Sequence, residues 1–474
     1  MITYISINGF KTFRNFEMFF SPFTVIAGAN ASGKSNLFDA MSLLSDLATD
    51  NSIQKVLASQ RGNLDELFTL FDNGQRSEEM TFVIEMLVNP VVVDEWGQTA
   101  NLSITRLRYE LSLRKIGLEE VAIIHETLLP VRKKNDVWAD YLPDSTDTFW
   151  RPIQKGVRQK PFMSVSAVEN GKYQVDIFDN NKDYLIKTPS KGLSIKKPNV
   201  LIIGSSSKTI ISRFDNVDNP HLLAARQEMM SWRFLHLNPT DLRLPSIKSD
   251  MSFDLDASGR NMASTLVRLK KEDPYNLNII SRLIRKFIPD YVGIDVREEA
   301  DGSRYIVYVE DRKHRDYSSR VLSEGTLRIL ALCILAVDSH HSGLLCFEEP
   351  ENGVHPSRLA VMAELMQQLS SDFQNTELKL RQVIVNTHSP RFVEEVFKLK
   401  NVLTLVVLAR RVASVINEGP IKTMLQTTRM TPVVSDGKHV FPLSDQPSVS
   451  ELSLNRQDMQ RYLNRMSIDD LLDK

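Results

Sequence analysis

Apolar and polar residues alternate along the first 20 residues of the chain in the manner of two short strands. The runs 4–10 and 16–20 follow this period of two, and the continuously apolar run Phe23–Ala27 comes next. Leucine and methionine then recur at three- and four-residue spacing from Leu37 to Leu47, which is the period of an amphipathic helix. The pattern therefore predicts a buried strand, a glycine-containing loop and a helix.

The rest of the chain divides into a β-rich part and an α/β part. Short alternating runs separated by Asn, Asp, Gly and Pro predict antiparallel strands before residue 220. Helical periodicity then returns, with an apolar face from Ile280 to Phe287. Farther on, helices alternate with short apolar runs at 344–347, 382–386 and 402–408, as in a parallel sheet covered on both faces.

These patterns predict five regions. They are an N-terminal lobe (1–79), a β-rich insertion (80–219), a helical connecting region (220–320), a C-terminal lobe (321–409) and a tail (410–474) that is less regular and suited to interactions. A chain of 474 residues exceeds the size that one hydrophobic core usually supports, which agrees with more than one lobe.

Composition narrows the class of protein. A net charge of −1 gives no overall field that would attract nucleic acid or an anionic membrane. Cys333 and Cys346 lie in apolar runs, which favours buried thiols in a reducing compartment over disulfides. The start of the chain has neither the basic nor the apolar region of a signal peptide, and no apolar run reaches membrane-spanning length. We expect a soluble, cytoplasmic protein without membrane contact.

The loop after the first buried strand has the pattern G-x-x-x-x-G-K-[ST]. Backbone N–H groups of such a loop approach phosphate oxygens, its lysine reaches the β- and γ-phosphates, and its serine can ligate Mg²⁺. A chance glycine turn is the alternative, but the strand before it and the helix after it favour phosphate binding. The predicted ATP-binding residues are Gly28, Ala29, Asn30, Ala31, Ser32, Gly33, Lys34, Ser35 and Asn36.

Two acidic residues, Glu348 and Glu349, end the apolar run at 344–347. A Mg-nucleotide site needs a carboxylate at the end of a neighbouring strand, a role suited to Glu348. Glu349, one residue on, can polarise the attacking water as a general base. A solvated strand end is the alternative, but the Pro- and Gly-containing turn 350–356 follows at once and favours a site.

Two more motifs belong to this part of the chain. His388 follows an apolar run and thus lies at the carboxyl end of a predicted strand, where open α/β sheets bind ligands. Ser323 and Gly325 begin a predicted helix; Ser323 can be a plain N-cap, but this helix start can also bind an anion. Two phosphate-binding helix starts in one chain suggest a composite site.

Taken in chain order, these motifs resemble the ATPase head of the RecF/SMC/OLD branch of ABC ATPases. The opening 7–13, Asn36 after Gly-Lys-Ser, and the Leu-Ser-Glu-Gly-Thr run at 322–326 carry the resemblance. It implies an α/β fold in which a mixed sheet and a parallel P-loop sheet form the head, with a β-rich insertion, a helical lobe and no long coiled coil.

The resemblance also implies a mechanism in which two protomers enclose ATP and Mg²⁺, with the turn 352–355 at the dimer interface. The implied catalytic residues are Lys34, Glu349 and His388, the metal ligands are Ser35 and Glu348, and the residues that act in trans are Ser323, Glu324 and Gly325. The family pattern has aspartate where this chain has Glu348 and commonly glutamine at Thr326. Gln60 is a weak candidate for the Q-loop glutamine, and a surface loop is the favoured interpretation there.

Compact relatives, the AAA15/AAA21-like ATPases, occur in bacterial anti-phage systems such as PARIS and Septu. By analogy, the chain is expected to dimerise or form a larger oligomer and to control a separately encoded effector, expected to be a nuclease. DNA or a phage protein is the expected trigger. The alternative is a DNA-repair or DNA-end-binding ATPase, with basic runs at 132–134 and 312–315 on phosphates. A transporter subunit and a small-molecule kinase fit the motifs less well.

Overall fold

The computed structural model describes residues 1–117, 120–140, 152–155, 160–168, 172–179, 199–203, 207–248, 254–340, 342–371, 373, 380–399, 401, 403–418, 421–433, 459 and 461. The strands are β1 (Ile2–Asn8), β2 (Phe16–Phe19), β3 (Phe23–Ala27), β4 (Glu79–Leu87), β5 (Val91–Val93), β6 (Thr99–Asn101), β7 (Arg106–Lys115), β8 (Val121–Pro130), β9 (Met163–Val168), β10 (Lys172–Ile177), β11 (Asn199–Ile203), β12 (Arg233–Leu235), β13 (Ser246–Ile247), β14 (Tyr291–Glu298), β15 (Arg304–Asp311), β16 (Asp316–Ser318), β17 (Gly343–Glu348), β18 (Arg381–Thr387), β19 (Thr404–Glu418) and β20 (Ile421–Pro432). The helices are α1 (Lys34–Leu47), α2 (Ile53–Ser59), α3 (Leu64–Leu67), α4 (Val137–Asp140), α5 (Pro220–Met230), α6 (Pro239–Leu242), α7 (Met262–Glu272), α8 (Tyr275–Phe287), α9 (Glu324–Val337), α10 (Leu359–Gln368) and α11 (Pro390–Lys398).

A six-stranded sheet with the order β12-β17-β18-β3-β19-β20 contains the glycine-loop strand β3. Its first five strands run parallel, and β20 returns antiparallel to β19. Alternate residues of β3 face opposite cores: Ile26 packs with the eight-stranded sheet, and Val25 packs with the helices that follow residue 260. Burial on both faces explains why the sequence of these strands is continuously apolar.

The carboxyl ends of β3, β12, β17 and β18 meet at one edge of this sheet because these strands run parallel. The residues that follow those four strands are therefore brought together. This edge carries the candidate site.

An antiparallel sheet of eight strands, with the order β11-β10-β9-β8-β7-β4-β1-β2, packs against the first. The strands of the predicted insertion extend the hairpin of β1 and β2, because β4 pairs directly with β1. Gln382 of β18 ties the two sheets together: its amide accepts from the backbone N–H of Ile2 at 2.9 Å and donates to the backbone oxygens of Ile2 and Ser21. The β-rich region and the P-loop region thus share one core.

The connecting region contains helices α5, α6, α7 and α8, strand β12 and a small antiparallel sheet of β13, β14, β15 and β16. The longest helices in the described ranges, α1 and α9, have 14 residues each, so this part of the chain contains no long coiled coil, as predicted. Within the same ranges, no helix combines the length and apolar character needed to cross a bilayer.

The region after residue 410 differs from the expected irregular tail. β19 continues to Glu418, and β20 pairs with it along twelve residue pairs, so the two strands form a long hairpin. Only the first part of β19, Thr404 to Leu408, pairs with β3. Mixed apolar and polar residues in this hairpin obscure its periodicity in the sequence, whereas pairing with β3 stabilises it in the fold.

Candidate functional site

The glycine loop lies between the buried strand β3 and helix α1, as the sequence predicts. Lys34 is 6 % exposed, and its Nζ donates to the backbone oxygens of Gly28 at 2.7 Å and Ala29 at 2.8 Å. Burial lowers the pKa of Lys34 to about 8, and the nearby carboxylates of Glu349, Glu351 and Glu348 oppose this effect. The ammonium is held inside the loop, where it can exchange its hydrogen bonds to these backbone oxygens for hydrogen bonds to a phosphate.

Two glycines give this loop the shape of an anion cradle. Gly33 precedes α1 with a φ of 94° and no side-chain cap, so the first N–H groups of the helix are open to a ligand. A Cβ on Gly33 would lie 1.9 Å from Oγ1 of Thr428, and one on Gly28 would lie 2.6 Å from the backbone oxygen of Ala409. The loop therefore requires glycine at both positions.

Thr428 of β20 supports the loop from the far end of the chain. Its hydroxyl donates to the backbone oxygen of Ser32 at 3.2 Å and lies 2.7 Å from the hydroxyl of Thr12. Asn36 donates to that Thr12 hydroxyl at 2.9 Å. Thr428 could not be predicted from the sequence, because a threonine in an apparently irregular segment carries no signal of its own.

A divalent cation fits beside Ser35. The hydroxyl of Ser35 is hydrogen bonded to the carboxylate of Glu348 at the end of β17. Asn386 of β18 stands opposite Glu348 in the sheet register, and its Oδ1 is buried without a hydrogen-bond partner. A hydroxyl, a carboxylate and an orphaned amide oxygen are the donors that a hard cation prefers.

Glu349 and His388 form a pair at the same edge. His388 Nδ1 lies 2.9 Å from Glu349 Oε1, and Asn352 donates to Glu349 Oε2 at 2.8 Å. The hydrogen bond with His388 lowers the pKa of Glu349, and the same bond raises the pKa of His388. Glu349 is therefore an ionised carboxylate at neutral pH and can accept a proton from water.

The backbone at Glu349 has a φ of 45°, in the left-handed region that non-glycine residues rarely adopt. Its N–H donates to the backbone oxygen of Asn386 at 2.8 Å, which holds the turn against β18. Strain of this kind persists where surrounding contacts fix a functional group. The two consecutive acids have different partners: Glu348 contacts His236, whereas Glu349 contacts Asn352 and His388.

Glu351 is a further acid near the site, and it was not among the predicted site residues. It is 7 % exposed, accepts from the hydroxyl of Thr387, and leaves its Oε2 buried without a partner. Burial raises its pKa. Its hydrogen bond with Thr387 links the turn after β17 to the end of β18, next to the pair of Glu349 and His388.

His236, which lies in the predicted connecting region 220–320, also reaches the site. It follows β12, and its Nδ1 lies 3.2 Å from Glu348 Oε2, which lowers the pKa of Glu348 and raises that of His236. A cavity of about 430 Å³ opens between this histidine and the carboxyl ends of the strands. The residues that line it include the predicted site residues Ser35, Glu348 and Glu349. Residues that were not predicted also line it, among them His236, Arg328 and Asn386.

The predicted signature residues lie apart from this cavity. Ser323 caps α9 by accepting from the N–H of Thr326 at 3.3 Å, and Ser323 and Glu324 are exposed. Gly325 is buried, and a Cβ there would lie 2.0 Å from the backbone oxygen of Gly353. The start of α9 thus packs on the turn after Glu349 and presents its exposed end to solvent.

Gln60, the weak candidate for a Q-loop glutamine, donates to Asp46 at 3.3 Å and is not among the residues lining the cavity. His236, and not Gln60, lies beside Glu348. The signal that could have identified His236 is a short apolar run at 234–235 followed by a polar residue, since a strand pairing next to β17 must end at the same edge.

Comparison with known proteins gives one sequence-level match. A protein-family model described as AAA ATPase domain (AAA_15) matches residues 1–393. A search of curated proteins finds no match.

Solved structures that resemble the chain include an SMC head bound to the C-terminal winged-helix domain of ScpA, with 12 % identity over 91 % of this chain and 98 % of that chain and a TM-score of 0.49. The SMC head domain from Thermotoga maritima shares 13 % identity over 92 % and 99 % of the two chains, with a TM-score of 0.38. The Smc head from Pyrococcus furiosus bound to the C-terminal domain of ScpA shares 10 % identity over 91 % and 96 %, with a TM-score of 0.47.

Proposed function

This chain belongs to the AAA ATPase domain family and is an ATPase, and we propose that it acts as a switch that closes as a dimer around Mg-ATP. The observation that carries the proposal is the convergence of the glycine loop, Glu348, Glu349 and His388 at one sheet edge. Ser323, Glu324 and Gly325 of the same chain do not line the cavity beside Glu348, and Ser323 and Glu324 are exposed to solvent.

In the proposed reaction, Lys34 and the first N–H groups of α1 hold the β- and γ-phosphates. Glu349 accepts a proton from the attacking water as that water bonds to the γ-phosphorus and the bond to the bridging oxygen of ADP breaks. His388 orients Glu349 through the hydrogen bond between them. Ser35, Glu348 and Asn386 would hold the divalent cation, which would neutralise charge on the phosphates.

The composite nature of the site is tested by mixing two inactive variants. Lys34→Ala removes the lysine of the glycine loop and leaves α9 intact, whereas Ser323→Arg blocks the exposed start of α9 and leaves the glycine loop intact. If Ser323, Glu324 and Gly325 act on the nucleotide of the partner, an equimolar mixture regains about a quarter of wild-type ATPase activity, because half of the dimers contain one complete site. A mixture as inactive as its components contradicts action in trans.

Replacement of His388 gives a second expected result, a shift in pH dependence. His388→Ala removes the hydrogen bond that is the main cause of the lowered pKa of Glu349. The pKa of Glu349 then rises, so the acid limb of the kcat–pH profile moves to higher pH, and kcat falls with little change in KM. An unmoved acid limb with unchanged kcat would show that His388 does not act on Glu349. Thermal unfolding of the variant at neutral pH controls for folding.

We propose that the output of the switch is control of a separately encoded effector, by analogy a nuclease in anti-phage defence. Support comes from the resemblance to the compact ATPases of anti-phage systems given in the sequence analysis. Co-purification with the product of a neighbouring gene, and loss of its control in Lys34→Ala, are the expected results. Retained control in that variant contradicts this role.

Binding of DNA is the second candidate, and helix α8 favours it. This helix contains no Asp or Glu, and its exposed face carries Arg282, Arg285 and Lys286. The basic run 312–315 predicted from the sequence is less available, because Arg315 pairs with Asp311 at 2.6 Å. If α8 binds phosphates, replacing its three cations with alanine weakens binding of duplex DNA and flattens the salt dependence. Absent or salt-insensitive binding by the wild type eliminates this candidate.

A further inference from the structure

His236 is held in a fixed position beside the cation site. β12 pairs in parallel with β17, and the register places Leu235 opposite Phe347, so His236 comes next to Glu348. Its backbone N–H donates to the backbone oxygen of Ala257 at 2.9 Å. The side chain is 60 % exposed and lines the cavity, so a ligand entering the cavity can reach the imidazole.

The separation between His236 and Glu348 matches that of two ligands on one cation. Two donors at right angles on an octahedral cation, each with a bond of about 2.2 Å, lie roughly 3 Å apart. His236 Nδ1 and Glu348 Oε2 are 3.2 Å apart. The orphaned Oδ1 of Asn386 and the hydroxyl of Ser35, which bonds Glu348, belong to the same group of donors.

We propose that His236 binds the nucleotide-associated cation directly through Nδ1 and makes this site prefer a first-row transition metal, with Mn²⁺ as the probe, over Mg²⁺. This inference rests on the proposed function, since the cation enters with the nucleotide. Mg²⁺ takes oxygen ligands almost exclusively, whereas imidazole nitrogen suits transition metals of similar size and charge. The hydroxyl, the carboxylate and the amide each offer an oxygen ligand, and the imidazole offers a nitrogen ligand. The imidazole nitrogen therefore discriminates between the two ions.

The test measures the metal itself and not turnover. Mn²⁺ is titrated by electron paramagnetic resonance into the full chain with the β,γ-methylene analogue of ATP, which has no nitrogen in its triphosphate. Pulsed spectra of the bound Mn²⁺ then report on directly bonded ¹⁴N. The wild type is expected to show ¹⁴N coupling from imidazole. His236→Gln is expected to lose that coupling and to bind Mn²⁺ about tenfold more weakly, with a much smaller change for Mg²⁺.

The matched control is His388→Gln, which alters the other histidine of the edge and should keep both the coupling and the Mn²⁺ affinity. If His236→Gln keeps the wild-type coupling, or loses Mn²⁺ and Mg²⁺ affinity equally, His236 is not a selective ligand, and only this inference fails. If the wild type binds the nucleotide with neither cation, the proposed function fails with it. Thermal unfolding of each variant confirms that its fold is retained.

Discussion

Glu349→Gln is expected to lower ATP hydrolysis by at least about a hundredfold while leaving ATP binding intact, because the amide cannot accept the proton of the attacking water. Glutamine has the size of glutamate and can still bond Asn352 and His388, whose partners are the two carboxylate oxygens. Release of inorganic phosphate measures the loss. With hydrolysis blocked, light scattering in the presence of Mg-ATP should show accumulation of the closed dimer.

The control for this variant is Glu364→Gln on the exposed side of α10, which removes the same charge away from the sheet edge. It should hydrolyse ATP at the wild-type rate and show no added dimer. Near-wild-type turnover in Glu349→Gln would assign the general base elsewhere. Loss of turnover without a closed dimer would retain Glu349 as the base and remove the proposed link between hydrolysis and opening.

Lys34→Ala is expected to weaken ATP binding on the order of a hundredfold. In the free protein the ammonium satisfies the backbone oxygens of Gly28 and Ala29, and it lies within the field of three glutamates. On binding it exchanges these contacts for charge-assisted bonds to phosphate, and losing one or two such bonds costs about 3 kcal/mol. Calorimetric titration with ATP measures the loss. The wild type should also unfold at a higher temperature when ATP is added, and this shift should be absent in the variant.

Lys55→Ala on α2 is the control for Lys34→Ala, since Lys55 is exposed and its ammonium bonds the nearby Asn51, away from the glycine loop. It should show the wild-type thermal shift with ATP. A Lys34→Ala protein that still gains this full shift contradicts the position assigned to the triphosphate.

The sequence predicts the parts of the site that lie next to each other in the chain. Gly28 to Ser35 needs only a strand before it and a helix after it, and both have clear periodicity. Glu348, Glu349 and His388 follow apolar runs that must be parallel strands in an α/β fold, so a shared edge follows from topology. Each of them lies at the predicted edge, although what each does in catalysis stays a prediction.

The parts that sequence reasoning missed depend on contacts between distant segments. His236 follows a strand of three residues, which is too short to give a period, and only the pairing of that strand with β17 places His236 beside Glu348. Thr428 is separated from Ser32 by nearly the whole chain. The burial of Glu351 results from how the turn after β17 folds back on Thr387. Polar residues in short or irregular segments acquire their environment only from tertiary structure.

The hairpin of β19 and β20 bears on where this ATPase could be shortened. The family match stops at residue 393, ahead of both strands, although β19 covers one side of β3 and Thr428 supports the glycine loop. Truncation at that boundary would leave a hydrophobic strand edge open to aggregation and the phosphate cradle unsupported on one side. The smallest autonomous nucleotide-binding unit therefore extends to at least residue 432, past the limit that family similarity alone would suggest.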